Sequence, residues 1–363
     1  MKAGIWGAGN IANAHAEALR SSGVELAAVT AHNLETAKEF AERWRVPVYG
    51  TDPAIFEDEE IKSVHICTPP ALRFSLIENL LKNNKHVLCE KPLSIDSDEA
   101  YELKELAENS NLVTAVDLNV RYMSSSQKAK ELLETADYGP IKLMHGTYLQ
   151  QFEVLPTPYS WRHQAELAGR MHAVTEIGTH WLDLAQYLSS RKITRVNAIF
   201  SLSDPRYVKD GLMHSSPQGD DSVEVDLQAE EIALVHIQFS DGSLGALTLS
   251  QISSGRMNHL EMEITGTKGN IWWDSTNPTL LYNATKEGGV IRECVPFGNN
   301  GFNDSIRKLI QDFYSAIENR DRPRPAALPT FADAAYLCAI CDAIYQSAMK
   351  GGVWLAVSEF CKE

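Results

Sequence analysis

The segment Ala3-Gly4-Ile5-Trp6-Gly7-Ala8-Gly9-Asn10-Ile11-Ala12 opens the chain with an apolar run, a glycine-rich turn and the start of a helical pattern. This order makes three steric demands. Gly7 permits a tight turn, Gly9 lets backbone approach a pyrophosphate, and small Ala12 lets helix and strand pack closely. The unpaired N–H groups at the start of the helix expected over 11–20 then face the diphosphate. Alone, the G-x-G-x-x-A string is unspecific. Directly after a strand and before a helix, it reads as a dinucleotide-binding loop with Gly7, Gly9, Asn10 and Ile11 at the ligand.

Working outward, near-continuous apolar runs recur at Ala3–Trp6, Leu26–Thr30, Ser63–Cys67, His86–Cys89 and Leu112–Val116. Runs of this kind suit strands buried on both faces. Between them Ala37, Phe40, Ala41 and Trp44, then Leu72, Leu76 and Leu80, then Ala100, Leu103 and Ala107, fall at helical spacing. The alternation predicts an α/β fold, a doubly wound parallel sheet over residues 1–120. Beyond Asn119 the texture becomes longer alternating strands over 141–152, 195–202, 223–239, 243–252, 259–266 and 270–273, joined by turns such as Asp241-Gly242. Residues 121–363 therefore read as a second α/β domain with a large, open, mostly antiparallel sheet. Helices near 124–135, 174–188 and 304–318 are expected to flank it. The last helix, near 331–350, is a candidate to pack back on the first domain.

Composition narrows the function. A chain of 363 residues exceeds what one core usually supports. The net charge of −15, with no cluster of Lys or Arg, disfavours nucleic acid as a partner. No apolar stretch is long enough for a membrane span. Met1 runs straight into the first strand, and six irregularly spaced cysteines make no disulfide framework, so the expected location is the cytoplasm. Cys338-x-x-Cys341 lies in an apolar helical stretch and reads as core packing.

Discrimination between cofactors should lie at Val29-Thr30-Ala31-His32-Asn33. An acid about twenty residues after the loop normally binds the ribose 2′-hydroxyl, and none is present here. Small residues and His32 leave room for a 2′-phosphate, which tilts the balance from NAD toward NADP. The alternative, that His32 and Asn33 only start the next helix, stands beside it.

Three further segments carry chemistry. Thr68-Pro69 follows the Ser63–Cys67 run and Glu90-Lys91-Pro92 follows the His86–Cys89 run, both at carboxyl ends of strands where open α/β sheets bind ligands. Glu176 and His180 are spaced to share a helical face, with Asp183 a turn further on. A histidine is the natural base for a hydroxyl proton, and an ionised Glu176 beside it would hold its pKa at or above the ordinary 6.5 or so. A metal set of His172, Glu176 and His180 is also available by spacing. It lacks supporting ligands, and no metal is expected.

These segments, in this order, resemble the Gfo/Idh/MocA family of glucose-fructose oxidoreductase and inositol dehydrogenase. Trp161-Arg162, Asn119-Val120-Arg121-Tyr122 and Gly266-Thr267-Lys268-Gly269-Asn270-Ile271-Trp272 extend the match along the chain. The resemblance implies a nicotinamide-dependent dehydrogenase acting on a sugar or polyol. Lys91 would hold the substrate hydroxyl, His180 would exchange its proton, and Glu176 would stand where the family has an aspartate. Asn119, Trp161 and Arg162 would join Thr68, Pro69, Glu90 and Lys91 around the cofactor, and the second sheet would build a homodimer or homotetramer. The family's Thr-Pro-Asn…His appears here as Thr68-Pro69-Pro70…Arg73. Two rivals are a nicotinamide-retaining glycoside hydrolase or lyase with an internal redox cycle, and a catalytically silent dinucleotide-binding regulator.

Overall fold

The computed structural model describes residues 1–202, 204–295 and 301–362. In the first half, strands β1 (Lys2–Trp6), β2 (Glu25–Thr30), β3 (Val48–Gly50), β4 (Ile61–Ile66), β5 (His86–Cys89) and β6 (Thr114–Val116) form a parallel sheet in the order β3-β2-β1-β4-β5-β6. The strand order reverses between β1 and β4, and the carboxyl edge at that switch is where such sheets hold ligands. Helices α1 (Asn10–Ser21), α2 (Leu34–Trp44), α3 (Arg73–Lys82) and α4 (Ser97–Glu108) supply the crossovers. The sheet follows from the apolar runs: Ile5, Val29, Val64, Ile66, Val87, Leu88 and Val116 are fully buried. The short, exposed β3, with Val48 and Tyr49 at the sheet margin, lacks that apolar signal.

The second half builds a nine-stranded sheet in the order Gly289–Cys294, Leu280–Thr285, Gly269–Asp274, His259–Gly266, Ile141–Leu149, Leu244–Ser250, Glu230–Phe239, Ile193–Leu202 and Leu355–Ala356. Its pairings are antiparallel except that of Ile141–Leu149 with Leu244–Ser250. Helix Thr179–Ser189 covers one face with Trp181, Leu182, Leu184 and Ala185, all fully buried. The indole Nε1–H of Trp181 donates to the Glu261 carbonyl at 3.0 Å. The other face leaves Ile199, Leu234 and Leu244 exposed.

Some expectations require correction. The stretch 223–239 is two strands: Val223–Val225 joins a four-stranded sheet with Arg206–Lys209, Leu212–His214 and Thr157–Pro158, and Glu230–Phe239 joins the large one. The strands Leu280–Thr285 and Gly289–Cys294, ending in polar or exposed residues, extend the large sheet beyond the expected set. Helix Phe302–Glu318 does not flank the second sheet. Its face of Ile306, Leu309, Ile310 and Phe313 packs with Ala12, Ala16 and Leu19 of α1 and with Ile5, Val29 and Leu88 of the first sheet. The alanine-rich face of α1 accepts these larger side chains, and that complementarity fixes where the helix goes.

Helix Phe331–Met349 packs against α4 on the opposite side of the first sheet, where Asp342 accepts a 2.8 Å hydrogen bond from the Ser97 amide. Cys338 and Cys341 on this helix are buried and unpaired. No helix among the described residues is long and apolar enough to cross a membrane.

Phe313, fully buried and edge-on to His65 and Tyr314, should be the key wedge under α1. Phe313→Ala is expected to destabilise the protein by about 3–5 kcal/mol. Urea unfolding checks this; a loss below about 1 kcal/mol would mean that the helix is an appendage rather than part of the core.

Candidate active site

The glycine loop has the geometry its sequence demands. Gly7 has φ +103°, and a Cβ there would stand 2.7 Å from the Cys67 carbonyl oxygen, so only glycine fits. A Cβ on Gly9 would meet nothing within 4 Å, leaving an open cradle over the start of α1. Gly9 caps α1 with no side-chain hydrogen bond, and the first turn carries no acid. Unclaimed N–H groups, a positive helix end and empty space at Gly9 are what a pyrophosphate needs, so these residues fit a dinucleotide.

A cleft of about 710 Å³ opens from this loop toward the second half. Asn10, Ile11, Thr68, Glu90, Lys91, Trp161, Arg162, Glu176 and His180 line it. Gly7, Gly9, Pro69, His32, Asn33 and Asn119 do not. Asn33 caps α2 by accepting the Thr36 amide at 2.8 Å, which favours its structural reading, and exposed His32 lies 2.6 Å from the Asn33 side chain. Asn119 is buried, with its amide donating to Ser305 Oγ at 2.7 Å and the Phe302 carbonyl at 3.3 Å at the start of helix Phe302–Glu318.

Lys91 leaves β5 before a cis peptide bond to Pro92, and its ammonium donates to the Glu176 carbonyl at 2.7 Å, with Glu176 Oε2 at 3.6 Å. Arg162 Nε, its guanidinium stacked on Trp161 at 4.5 Å, lies 3.3 Å from the same carboxylate oxygen. Burial would raise the Glu176 pKa, but Lys91 and Arg162 outweigh it and hold the group at about 2. Glu176 thus engages Lys91 and Arg162, and no hydrogen bond joins it to His180 among the described residues. The reason is local: Val174–Gly178 is a π-helical turn, whose wider winding shifts Glu176 relative to His180 in the following α-helix. Asp183 pairs bidentately with buried Arg121, Nε to Oδ2 at 2.7 Å and a second bond at 2.5 Å.

His180 is buried between Tyr148 and Phe302, and its Nδ1 has no partner. Burial, reinforced by the Lys91 charge, lowers its pKa to about 3, the opposite of the expected upward pull from Glu176. Arg73 explains the departure at Pro70…Arg73. Its guanidinium donates to the carbonyls of Thr68 (3.0 and 2.7 Å), Glu90 (2.5 Å) and Pro92, tying together the loops after β4 and β5.

Behind Glu90 lies a buried polar chain that motif reading missed. His15 Nε2 sits 3.2 Å from Glu90 and 3.4 Å from Asp117, its Nδ1 is 2.9 Å from His65, and His65 Nε2 is 3.0 Å from the Tyr314 hydroxyl. Burial opposes charge on His15, but Asp117 and Glu90 prevail and lift its pKa to about 9. Its one signal in the sequence is a histidine among Ala12, Ala14, Ala16 and Ala18 on α1. The spacing-derived metal set of His172, Glu176 and His180 does not assemble. Among the described residues, the triads close enough to share an ion are Glu153-His163-His172 and His15-Glu90-Asp117.

A Rossmann sheet with an open pyrophosphate cradle and a cleft holding a lysine, a carboxylate and a histidine defines a dinucleotide-dependent oxidoreductase class. Residues 1–118 match the oxidoreductase family with an NAD-binding Rossmann fold, and residues 126–272 match the GFO/IDH/MocA C-terminal domain. The chain belongs to this Gfo/Idh/MocA oxidoreductase family.

It is 29% identical over 350 residues to levoglucosan dehydrogenase of Pseudarthrobacter phenanthrenivorans, covering 90% of this chain and 88% of that protein. Myo-inositol 2-dehydrogenase of Thermotoga maritima is 24% identical over 326 residues, 89% of this chain and 90% of its own. A solved levoglucosan dehydrogenase in complex with NADH and L-sorbose superposes with a TM-score of 0.88 at 26% identity, over 98% of each chain.

The cradle can be tested directly. Gly9→Val fills the open space and should weaken nicotinamide dinucleotide binding by more than about tenfold while thermal unfolding stays unchanged. Fluorescence titration checks it; full affinity in the folded variant would remove the dinucleotide from this loop.

Proposed function

We propose that the chain catalyses reversible oxidation of a carbinol in a sugar or polyol, with Lys91 and His180 acting on the hydroxyl. The convergence of Lys91, Glu176 and His180 on one cleft beside the open cradle at Gly9 carries this reading. The names of the levoglucosan and inositol dehydrogenases support the substrate class. When bound, the nicotinamide accepts the carbon-bound hydrogen as hydride.

The protein supplies orientation and charge. The Lys91 ammonium, steadied by Glu176, holds the hydroxyl and stabilises negative charge as it develops on oxygen. His180 takes the hydroxyl proton and releases it to solvent or returns it in the reverse direction. An apolar, open face at Ile199, Leu234 and Leu244 supports assembly through the large sheet.

Net formation of reduced nicotinamide on adding levoglucosan or myo-inositol tests the activity; turnover of a sugar without it would favour an internal redox cycle. The pH profile tests the base. His180 must be neutral to accept a proton, and its pKa of about 3 keeps it neutral at and above pH 5. Oxidation should therefore show no His180-dependent acid limb between about pH 5 and 7, whereas an unperturbed histidine would give one near 6.5. His180→Ala should lower kcat/KM by about 10²–10⁴-fold across that window without reshaping it. A wild-type limb near pH 6.5 that the variant abolishes would overturn this assignment.

For cofactor choice, the absence of an acid over residues 29–33 supports binding of NADP at least as tight as that of NAD. Ala31→Asp should then shift preference toward NAD by about 1–3 kcal/mol through repulsion of the 2′-phosphate. Dissociation constants for both cofactors decide it, and a wild-type preference for NAD of about tenfold or more refutes it.

A further inference from the structure

The cleft wall also carries Glu153, His163 and His172, which none of the roles above uses. The Ser160 amide donates to His163 Nδ1 at 3.0 Å, so that nitrogen bears no proton and the neutral ring carries its proton on Nε2. Nε2 lies 2.9 Å from Glu153 Oε2 and donates to it. The ring is held flat on Tyr159, with centroids 5.6 Å apart, and edge-on to His172. This tautomer argues against a metal on the triad, because the Nε2 lone pair an ion would need is replaced by a hydrogen.

Glu153 Oε1 has no donor within hydrogen-bond distance among the described residues. Its nearest partner is His172 Nε2 at 3.7 Å, too far for a direct bond. An oxygen about 2.8 Å from each would bridge that gap, and a hydroxyl is the group that can donate to one and accept from the other.

The charges in the cleft narrow the ligand further. Four carboxylates line it, Glu17, Glu90, Glu153 and Glu176, against three cations. Arg73 is spent on backbone carbonyls, and Lys91 and Arg162 face Glu176.

Building on the carbinol-oxidation reading, we infer that Glu153, aimed by His163, receives a second substrate hydroxyl remote from the reacting carbon, so that the site selects a neutral polyhydroxy ring over its phosphorylated counterpart. His163 is a positioning residue; Glu153 and His172 touch the substrate. A phosphate brought to this wall would face Glu153 while Lys91 and Arg162 of the cleft already face Glu176, and a deoxy ring would leave Glu153 Oε1 without a donor.

The test uses full-length protein saturated with nicotinamide cofactor, with levoglucosan, myo-inositol, glucose and glucose 6-phosphate as probes. Glu153→Gln should raise KM for the favoured neutral probe about 10–100-fold while kcat falls far less. It should also narrow the preference for glucose over glucose 6-phosphate. His163→Phe, which keeps the flat ring but loses the donor, should move KM in the same direction by a smaller factor. Sugar-induced thermal shifts of the cofactor complex give a reading independent of turnover and report folding of each variant.

An unchanged KM in folded Glu153→Gln, or wild-type preference for glucose 6-phosphate, overturns this inference and leaves the oxidoreductase reading intact. If wild type neither binds nor oxidises any of the neutral probes, both fall.

Discussion

The ammonium of Lys91 stands at the seam between the two halves of the chain. It leaves the carboxyl end of β5 in the parallel sheet and meets Glu176, which belongs to the π turn of the second half, through a 2.7 Å bond to its carbonyl and a 3.6 Å approach to its carboxylate. A mostly buried cation without a partner is strongly unfavourable, so wherever Lys91 points, an anion must follow. Much of the surrounding architecture meets that constraint. Arg162 balances Glu176 from its free side, and Arg73 fixes the loop from which Lys91 projects. The π turn gives Glu176 the angle to reach across. Because partner and cation come from different halves, the seam closes with the pair in register.

The same logic extends beneath the site. Glu90 immediately precedes Lys91, is buried, and accepts the Lys91 amide at 3.1 Å. Its other demand is met by His15, which Asp117 also faces and which touches His65; His65 in turn reaches Tyr314. Buried polar groups are costly unless they find partners, and Tyr314, at the far end of this chain, lies on helix Phe302–Glu318. That helix follows the second sheet in sequence yet packs on the first in space. Apolar packing against α1 and the polar chain through His65 pull it the same way, and this agreement between levels gives a single arrangement.

The parallel sheet was legible because strands buried on both faces must be apolar throughout, and the glycine loop because Gly7 answers to a steric demand that no other residue meets. Lys91, Glu176 and His180 were singled out from the sequence and line one cleft, but their partners were not legible. Helical spacing joined Glu176 to His180, whereas a single π turn, invisible to periodicity, sends the carboxylate to Lys91 and Arg162. Glu153 and His163 stand ten positions apart in an irregular segment, and their contact depends on an amide of Ser160 that no side-chain pattern encodes. His15 hides among alanines as an ordinary helix residue. Short strands such as Val48–Gly50 carry too little apolar sequence to announce themselves.

Electrostatics also distinguishes Lys91 from His180 in the cleft. His180 and Lys91 share one poorly solvated space, where two positive charges would repel and each would lose hydration. Glu176 offers its carboxylate to Lys91, and His180 is left with an unpartnered Nδ1 and burial on every side. Burial and the Lys91 charge keep His180 a neutral imidazole, its pKa lowered to about 3. In the proposed reaction that arrangement is the useful one, since a hydroxyl losing its proton needs a positive charge against its oxygen and an uncharged acceptor for the proton. In that proposed reaction the low basicity of His180 would also be relieved as the proton moves. Negative charge growing on the substrate oxygen would offset Lys91, the main charge opposing protonation of the ring, and so make His180 a stronger base as the proton begins to move.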